Sequence, residues 1–272
     1  MSSPVPSILA VTDPDDPRVA AYRDIRERDL VGREGRFVAE GEVVLRMLAA
    51  SRRHATDSVL IDEKRLEKLR PLLAAFPPET PVYAGGQAVI DAVAGFHLHR
   101  GILAIGRRAP DPGARALLQG LGERATVLVL FGLSNHDNMG GLFRNAAAFG
   151  ADAVLLDSGC CDPLYRKAIR VSVGHALTLP FARLQRDEDP LALLAEAGLE
   201  PLALTPKGAP PLAELDPPPR AAVLLGTEGP GLPDRIIAGA RPIAIPMAPG
   251  VDSLNVAVTA GIVLHHLRFG AR

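Results

Sequence analysis

Three short stretches of this chain set polar and charged side chains beside glycines at the ends of strongly apolar runs. The first, GLSNHDNMGGLFRNAAAFG, follows VLVLF and carries Asn138, Gly140, Gly141 and Arg144. The second, LLGTEGPGLP, closes the run AAVLL and places Thr227 and Glu228 among Gly226, Gly229 and Gly231. The third, Ile243–Leu267, passes from a short apolar strand through a Pro/Gly turn into a long helix, with Asp252, Ser253 and Asn255 at the junction. At a strand-to-helix junction the first N–H groups of the helix have no partner within it, and glycine lets a ligand come close to the backbone. Both features suit the binding of a polar ligand.

Taken singly, each stretch has a plain reading too. Asn138 can cap a helix or contact a ligand, and Asp252 or Ser253 can cap the helix that follows them. Arg144 adjoins Leu142, Phe143 and Ala146–Ala148; a charge on that apolar face either has a task or snorkels to solvent. The glycine-rich loop is either a backbone cradle or a simple turn. The dinucleotide fingerprint G-x-G-x-x-G and the phosphate loop G-x-x-x-x-G-K-[ST] are both absent, which weakens nicotinamide and nucleoside triphosphate readings but leaves other adenine-containing ligands open. There is no G-x-S-x-G elbow, and His175 has no acidic neighbour in the sequence. His97, His99, His265 and His266 lack a carboxylate or cysteine at metal-ligand spacing, so no metal site is expected. Cys160 and Cys161 are adjacent and are the only cysteines, which reads as buried thiols in a reducing compartment.

The elements that must position these loops alternate. In the first part, strands are expected at Ser58–Ile61, Val82–Ala84 and Ile102–Ile105, and helices at Pro17–Leu30, Glu63–Ala75 and Gln87–Ala94. In the second, strands are expected at Thr126–Phe131, Ala153–Leu156, Thr178–Phe181, Leu202–Thr205, Ala222–Leu225 and Arg241–Ile245. Helices are expected there at Gly140–Phe149, Leu164–Val173, Leu191–Ala197, Pro233–Ala238 and Ser253–Phe269. Continuous apolar strands such as VLVLF belong in a parallel sheet covered on both faces, where ligands bind beyond the carboxyl ends of the strands. A chain of 272 residues with 47% hydrophobic residues suits two α/β domains. With a net charge of −1, no global field points to nucleic acid. Arginines do crowd between Arg18 and Arg53, either as a solvated face with Glu/Arg pairs or as a phosphate-contacting surface. No apolar run reaches the roughly 18 residues of a membrane span, and MSSPVPSILAVTDPDD does not read as a signal peptide. A cytoplasmic protein with no membrane partner is the expectation.

With its three loops in this order, the chain resembles the SpoU/TrmH family of the SPOUT superfamily, the RNA ribose 2′-O-methyltransferases. The family's N-x-G-x-x-x-R stands here as Asn138 to Arg144, its G-x-E-x-x-G-L as Gly226 to Leu232, and its I-P-M-x-x-x-x-x-S-L-N as Ile245–Met247 with Ser253–Asn255. The piece GRFVAEG, Gly35–Gly41, resembles part of the family's small α/β ribosomal-protein-like (L30e-like) substrate-binding domain. The resemblance implies an RNA-binding domain at 1–108, a linker at 109–124, and at 125–272 an α/β SPOUT domain with a parallel sheet and a trefoil knot. It implies S-adenosyl-L-methionine as cofactor, held largely by backbone groups around Thr205, Gly226, Gly231, Ile245, Met247 and Leu254. It also implies rRNA or tRNA as substrate, and a homodimer through the knotted domain with catalytic residues meeting across the interface. Arg144 would be the base, or a clamp on the 2′-hydroxyl and adjacent phosphate. Asn138, Ser253 and Asn255 would orient the ribose and Arg144, and Glu228 would fix the loop or the arginine. The chain departs from the family pattern at His136-Asp137, where Pro-Gly is common, and at Asn145, where Thr or Ser is usual; these bear on which RNA is read. The rival reading is a non-catalytic RNA-binding protein that keeps the fold.

Overall fold

The computed structural model describes residues 6–23, 30–31, 34–205, 209–227 and 229–270. Part of the expected helix Pro17–Leu30, the arginines 26, 28 and 33, and Glu228 lie outside the described residues. The chain forms two units, Met1–Ala109 with Leu164–Thr178, and Pro110–Pro163 with Leu179–Arg272.

The first unit is built on β1 (Ile8–Ala10), β2 (Arg36–Glu40), β3 (Ala55–Asp62), β4 (Val82–Gly85) and β5 (Ile102–Arg107). They form one sheet in the order β1-β4-β3-β5-β2. β4 runs parallel to β1 and β3, and β5 runs antiparallel to β3 and β2. Tyr22, Leu60, Ile90, Leu98 and Leu103 are buried together in its core. The Tyr22 hydroxyl, 2.7 Å from Ser58 Oγ, is pushed well above the usual phenol range by burial. The expected helix Pro17–Leu30 begins as a short 3₁₀ helix, Pro17–Tyr22, which Asp16 caps by accepting from Arg18 N–H.

The helix Arg166–Val171 belongs to this first unit although the sequence suggested the second domain. Its buried residues Ala168 and Ile169 pack against β2, and Ser51 Oγ donates to Leu177 O at 2.8 Å. Local periodicity shows that a helix has an apolar side but not which sheet covers it.

The second unit carries a fully parallel sheet of β6 (Ala125–Leu130), β7 (Ala153–Leu156), β8 (Phe181–Arg183), β9 (Glu200–Leu204), β10 (Arg220–Leu225) and β11 (Arg241–Ile243), ordered β11-β9-β10-β6-β7-β8. The central strands β6 and β10 are buried almost along their whole length, as the continuous apolar runs require. The edge strand expected at Thr178–Phe181 lies later, because His175–Leu177 closes into a 3₁₀ turn first. The stretch 109–124, expected as a linker with a possible short helix, does contain one, Ala114–Gln119, and its Ala114 and Leu118 enter this unit's core. Among the described residues no helix is long and apolar enough to cross a membrane, and no group of His, Cys, Asp and Glu could hold a metal ion.

Candidate active site

The carboxyl ends of β9, β10 and β11 meet around a cavity of about 530 Å³. Thr205 extends from β9, Gly226 and Gly231 from β10, and Ile245 and Met247 from β11; all line the cavity, as do Ser253 and Leu254. The six residues expected to hold a cofactor therefore share one wall system. The loop after β10 folds back on itself: Thr227 and Gly231 form an antiparallel bridge, and Gly231 N–H donates to Thr227 O at 3.2 Å. A β-carbon on Gly226 would lie 2.2 Å from the Gly231 carbonyl and 2.4 Å from Leu232 N, so no other residue fits there without opening the loop. Thr227 lines the same cavity, and its Oγ1 is buried without a hydrogen-bond partner. Asp252 is the charged side chain among the described lining residues.

Two asparagines tie this wall to the first loop. Asn135, not Asn138, caps the helix His136–Ala148, its Oδ1 accepting from Asp137 N–H at 2.8 Å and Asn138 N–H at 3.4 Å. The helix therefore starts four residues before the expected Gly140, with Asn135 extended as a cap requires. In the same way Asn255, not Asp252 or Ser253, caps the C-terminal helix Val256–Phe269 through Ala257 N–H at 2.9 Å and Val258 N–H at 3.4 Å. Asn255 spends its carbonyl on the cap, which turns its amide outward, and Nδ2 donates to Asn138 Oδ1 at 2.8 Å. Asn138 is 7% exposed, so the bond is half-buried, and it anchors the start of one helix to the start of the other.

The two helices approach closely lower down. A β-carbon on Gly141 would meet Ala257 Cβ at 2.8 Å. Asn145 Nδ2 donates to Ala257 O at 2.5 Å, which gives the residue that departs from the family pattern a structural task. Arg144 is exposed. Leu142, Phe143 and Ala146 are buried around it, so the arginine stands off the apolar face rather than on it. Neither Arg144 nor Asn138 lines the cavity; they lie on the helix that Asn255 holds against the cavity's edge.

The other sequence candidates are placed elsewhere. Burial pushes the Cys160 thiol up to about 12 and the Cys161 thiol up to about 11, which leaves both poor nucleophiles near neutral pH. His97 Nδ1 lies 2.6 Å from Asp91 Oδ2 in the first unit, and His175 sits in the 3₁₀ turn there.

Residues 125–265, which contain all three loops, match the sequence profile of the SpoU rRNA methylase family. The chain belongs to that family. An uncharacterised tRNA/rRNA methyltransferase of Mycobacterium bovis is 40% identical over 265 residues, covering 94% of this chain and 90% of the relative. A 23S rRNA (adenosine(1067)-2′-O)-methyltransferase of Streptomyces laurentii is 36% identical over 162 residues, 58% of each chain. A crystal structure of an RNA 2′-O ribose methyltransferase aligns with a TM-score of 0.73 at 25% identity, over 96% of this chain and 99% of the other. This SpoU chain is thus an RNA methyltransferase. Within this SpoU site the sequence reading gave no role to the Thr227 side chain or to Asn135, and it read Gly141 as a close approach to a ligand where the structure shows a close approach to Ala257. Glycine spacing marked the loop that holds Thr227, but only the folded-back turn shows that its hydroxyl is enclosed.

Proposed function

We propose that this chain transfers the methyl group of S-adenosylmethionine to a ribose 2′-hydroxyl of structured RNA, either rRNA or tRNA. The bond between Asn255 and Asn138 carries the reading, because it couples a cofactor-sized cavity to the helix that presents Arg144. The cavity's residues fit the cofactor. Gly226 keeps backbone groups at the surface, the Thr227 hydroxyl needs a partner, and Leu225, Leu232 and Ile245 give apolar walls for an adenine. The Asp252 carboxylate has the sign that suits a ligand bearing an ammonium and a sulfonium. When bound, the cofactor supplies an activated methyl on a cationic sulfur.

The chain's own residues then have to hold the hydroxyl in line. Arg144 is a planar set of N–H donors free to reach a substrate from solvent, which favours the clamp on the 2′-hydroxyl and its neighbouring phosphate. Ser253, on the cavity wall, is proposed to bond the ribose, with Asn138 and Asn255 fixing the helix that aims Arg144. Glu228 is proposed to steady the cofactor loop.

The remaining expectations belong to the same reading. Residues 1–108 deliver RNA in the cytoplasm, and 125–272, apart from Leu164–Thr178 in the first unit, form the knotted methyltransferase together with the helix of the 109–124 stretch. In support of threading, β11 and Ala244 are held from two sides: Thr205 N–H donates to Ile243 O, while Ala244 N–H donates to Pro210 O and Ala244 O accepts from Leu212 N–H. The homodimer is proposed to use the C-terminal helix, where Val258, Ile262 and Phe269 are 51%, 39% and 63% exposed in one stripe. Ile262→Asp should convert the dimer to monomers in sedimentation analysis; an unchanged dimer would move the interface elsewhere.

Thr227→Val removes the enclosed hydroxyl while keeping its shape. Calorimetric titration should show about tenfold weaker S-adenosylmethionine binding, with Thr227→Ser near the wild type. Equal affinity for Thr227→Val would remove Thr227 from the cofactor site.

Labelled S-adenosylmethionine incubated with the protein and total RNA tests the function as a whole. Transfer of label to RNA is expected. RNA binding without any transfer would favour the non-catalytic rival.

A further inference from the structure

We propose that the loop Phe96–Gly101 of the first unit is an RNA-docking surface, where an unpaired base stacks on Phe96 and flanking phosphates bind Arg65, Arg100 and Arg166. The proposal rests on the RNA methyltransferase reading above and adds to it where the RNA is gripped.

Phe96 is 38% exposed, unusual for a side chain with so much apolar area to hide. The Arg166 guanidinium carbon lies 4.9 Å from its ring centre, a cation–π contact that fixes the ring without enclosing it. The other two arginines converge on the same loop. The Arg100 side chain lies along Gly41, where a β-carbon would meet Cδ at 2.9 Å. Arg65 reaches the His99 carbonyl with Nη2 at 3.5 Å and passes beside Gly101. The His97 and His99 rings stack edge to face, 4.4 Å apart, on the same loop.

The two aspartates nearby are engaged. Asp91 bonds His97 at 2.6 Å and Leu98 N–H at 2.8 Å, and the His97 contact holds its carboxyl below the usual range. Asp62 accepts from Lys64 N–H at 3.1 Å. Glu40, largely buried, lies 3.8 Å from Arg166 Nε. What faces solvent is an aromatic ring bordered by guanidinium groups. That is the arrangement which holds single-stranded nucleic acid by base stacking and phosphate neutralisation without reading sequence.

The sequence directed attention instead to the arginines between Arg18 and Arg53, yet Arg18, Arg36 and Arg46 are each paired with a carboxylate of the same unit. Arg166 lies 70 positions after Phe96 in the chain, so no local pattern joins them.

The test measures binding of a fluorescein-labelled single-stranded oligouridylate to the full-length protein across a salt series. Phe96→Ala and Phe96→Leu should each weaken binding about tenfold, with the salt dependence unchanged and Phe96→Tyr close to the wild type. Arg100→Gln should instead reduce the slope of log affinity against log salt by about 0.7. S-adenosylmethionine affinity and the circular dichroism and thermal unfolding of the whole chain should be the same in every variant, the last two showing that the first unit keeps its fold. Wild-type binding by Phe96→Leu, or an unaltered salt slope in Arg100→Gln, would overturn the proposal. If the wild type binds the strand through this surface but does not methylate ribose, the surface stands and the proposed function falls. If it methylates ribose while Phe96→Leu binds and turns over RNA like the wild type, the surface falls and the function stands.

Discussion

Arg144→Ala should lower methyl transfer to RNA by about 10²–10³-fold while leaving S-adenosylmethionine affinity near the wild-type value. The split follows from position. Arg144 is exposed on the helix His136–Ala148 and is not one of the cavity's lining residues, so its loss is expected to remove a substrate contact and no cofactor contact. Arg144→Lys should recover little, since an ammonium cannot give the two parallel hydrogen bonds of a guanidinium. Single-turnover transfer with labelled cofactor, paired with calorimetric titration, measures both halves. A variant within a few-fold of the wild type in transfer would take Arg144 out of the mechanism.

Gly226→Ala should have a comparably large effect for the opposite reason. Its β-carbon would overlap the Gly231 carbonyl at 2.2 Å, and both partners are backbone that no rotamer change can move. The loop must open, the Thr227–Gly231 bridge is lost, and the cavity wall goes with it. Overpacking of this kind costs about 1–3 kcal/mol or more, so cofactor affinity should fall by about 10–100-fold or beyond. Gly229 offers the control. A β-carbon there meets nothing within 4 Å and the difficulty is only its φ of +97°, so Gly229→Ala should cost less. If the two variants bind the cofactor equally well, the close approach at Gly226 is not what shapes the site.

The parallel sheet was legible because β6 and β10 are buried on both faces, and only a continuous apolar run satisfies that burial. The cavity was legible as three loops but not as an assembly. Asn135, Asp137 and Asn138 are all chemically able to cap, and backbone geometry chooses Asn135. That choice leaves Asn138 Oδ1 available to Asn255 across 117 residues, a pairing no spacing rule reveals. The same limit hid which sheet covers the helix Arg166–Val171, expected within Leu164–Val173, since its Ala168 and Ile169 could have been buried by either. The apolar surroundings expected for Arg144 were not found for a simpler reason. Its neighbours in sequence are buried, but a helix turns by about 100° per residue, so adjacent residues do not share a face.

The proposed acceptor of the methyl group is a ribose oxygen. RNA labelled by the wild-type protein, digested to nucleosides and separated, tests it most directly. Label is expected only in 2′-O-methylated nucleosides, at positions where the RNA chain has become resistant to alkaline cleavage. Label on a base, with the ribose hydroxyls untouched, would contradict it.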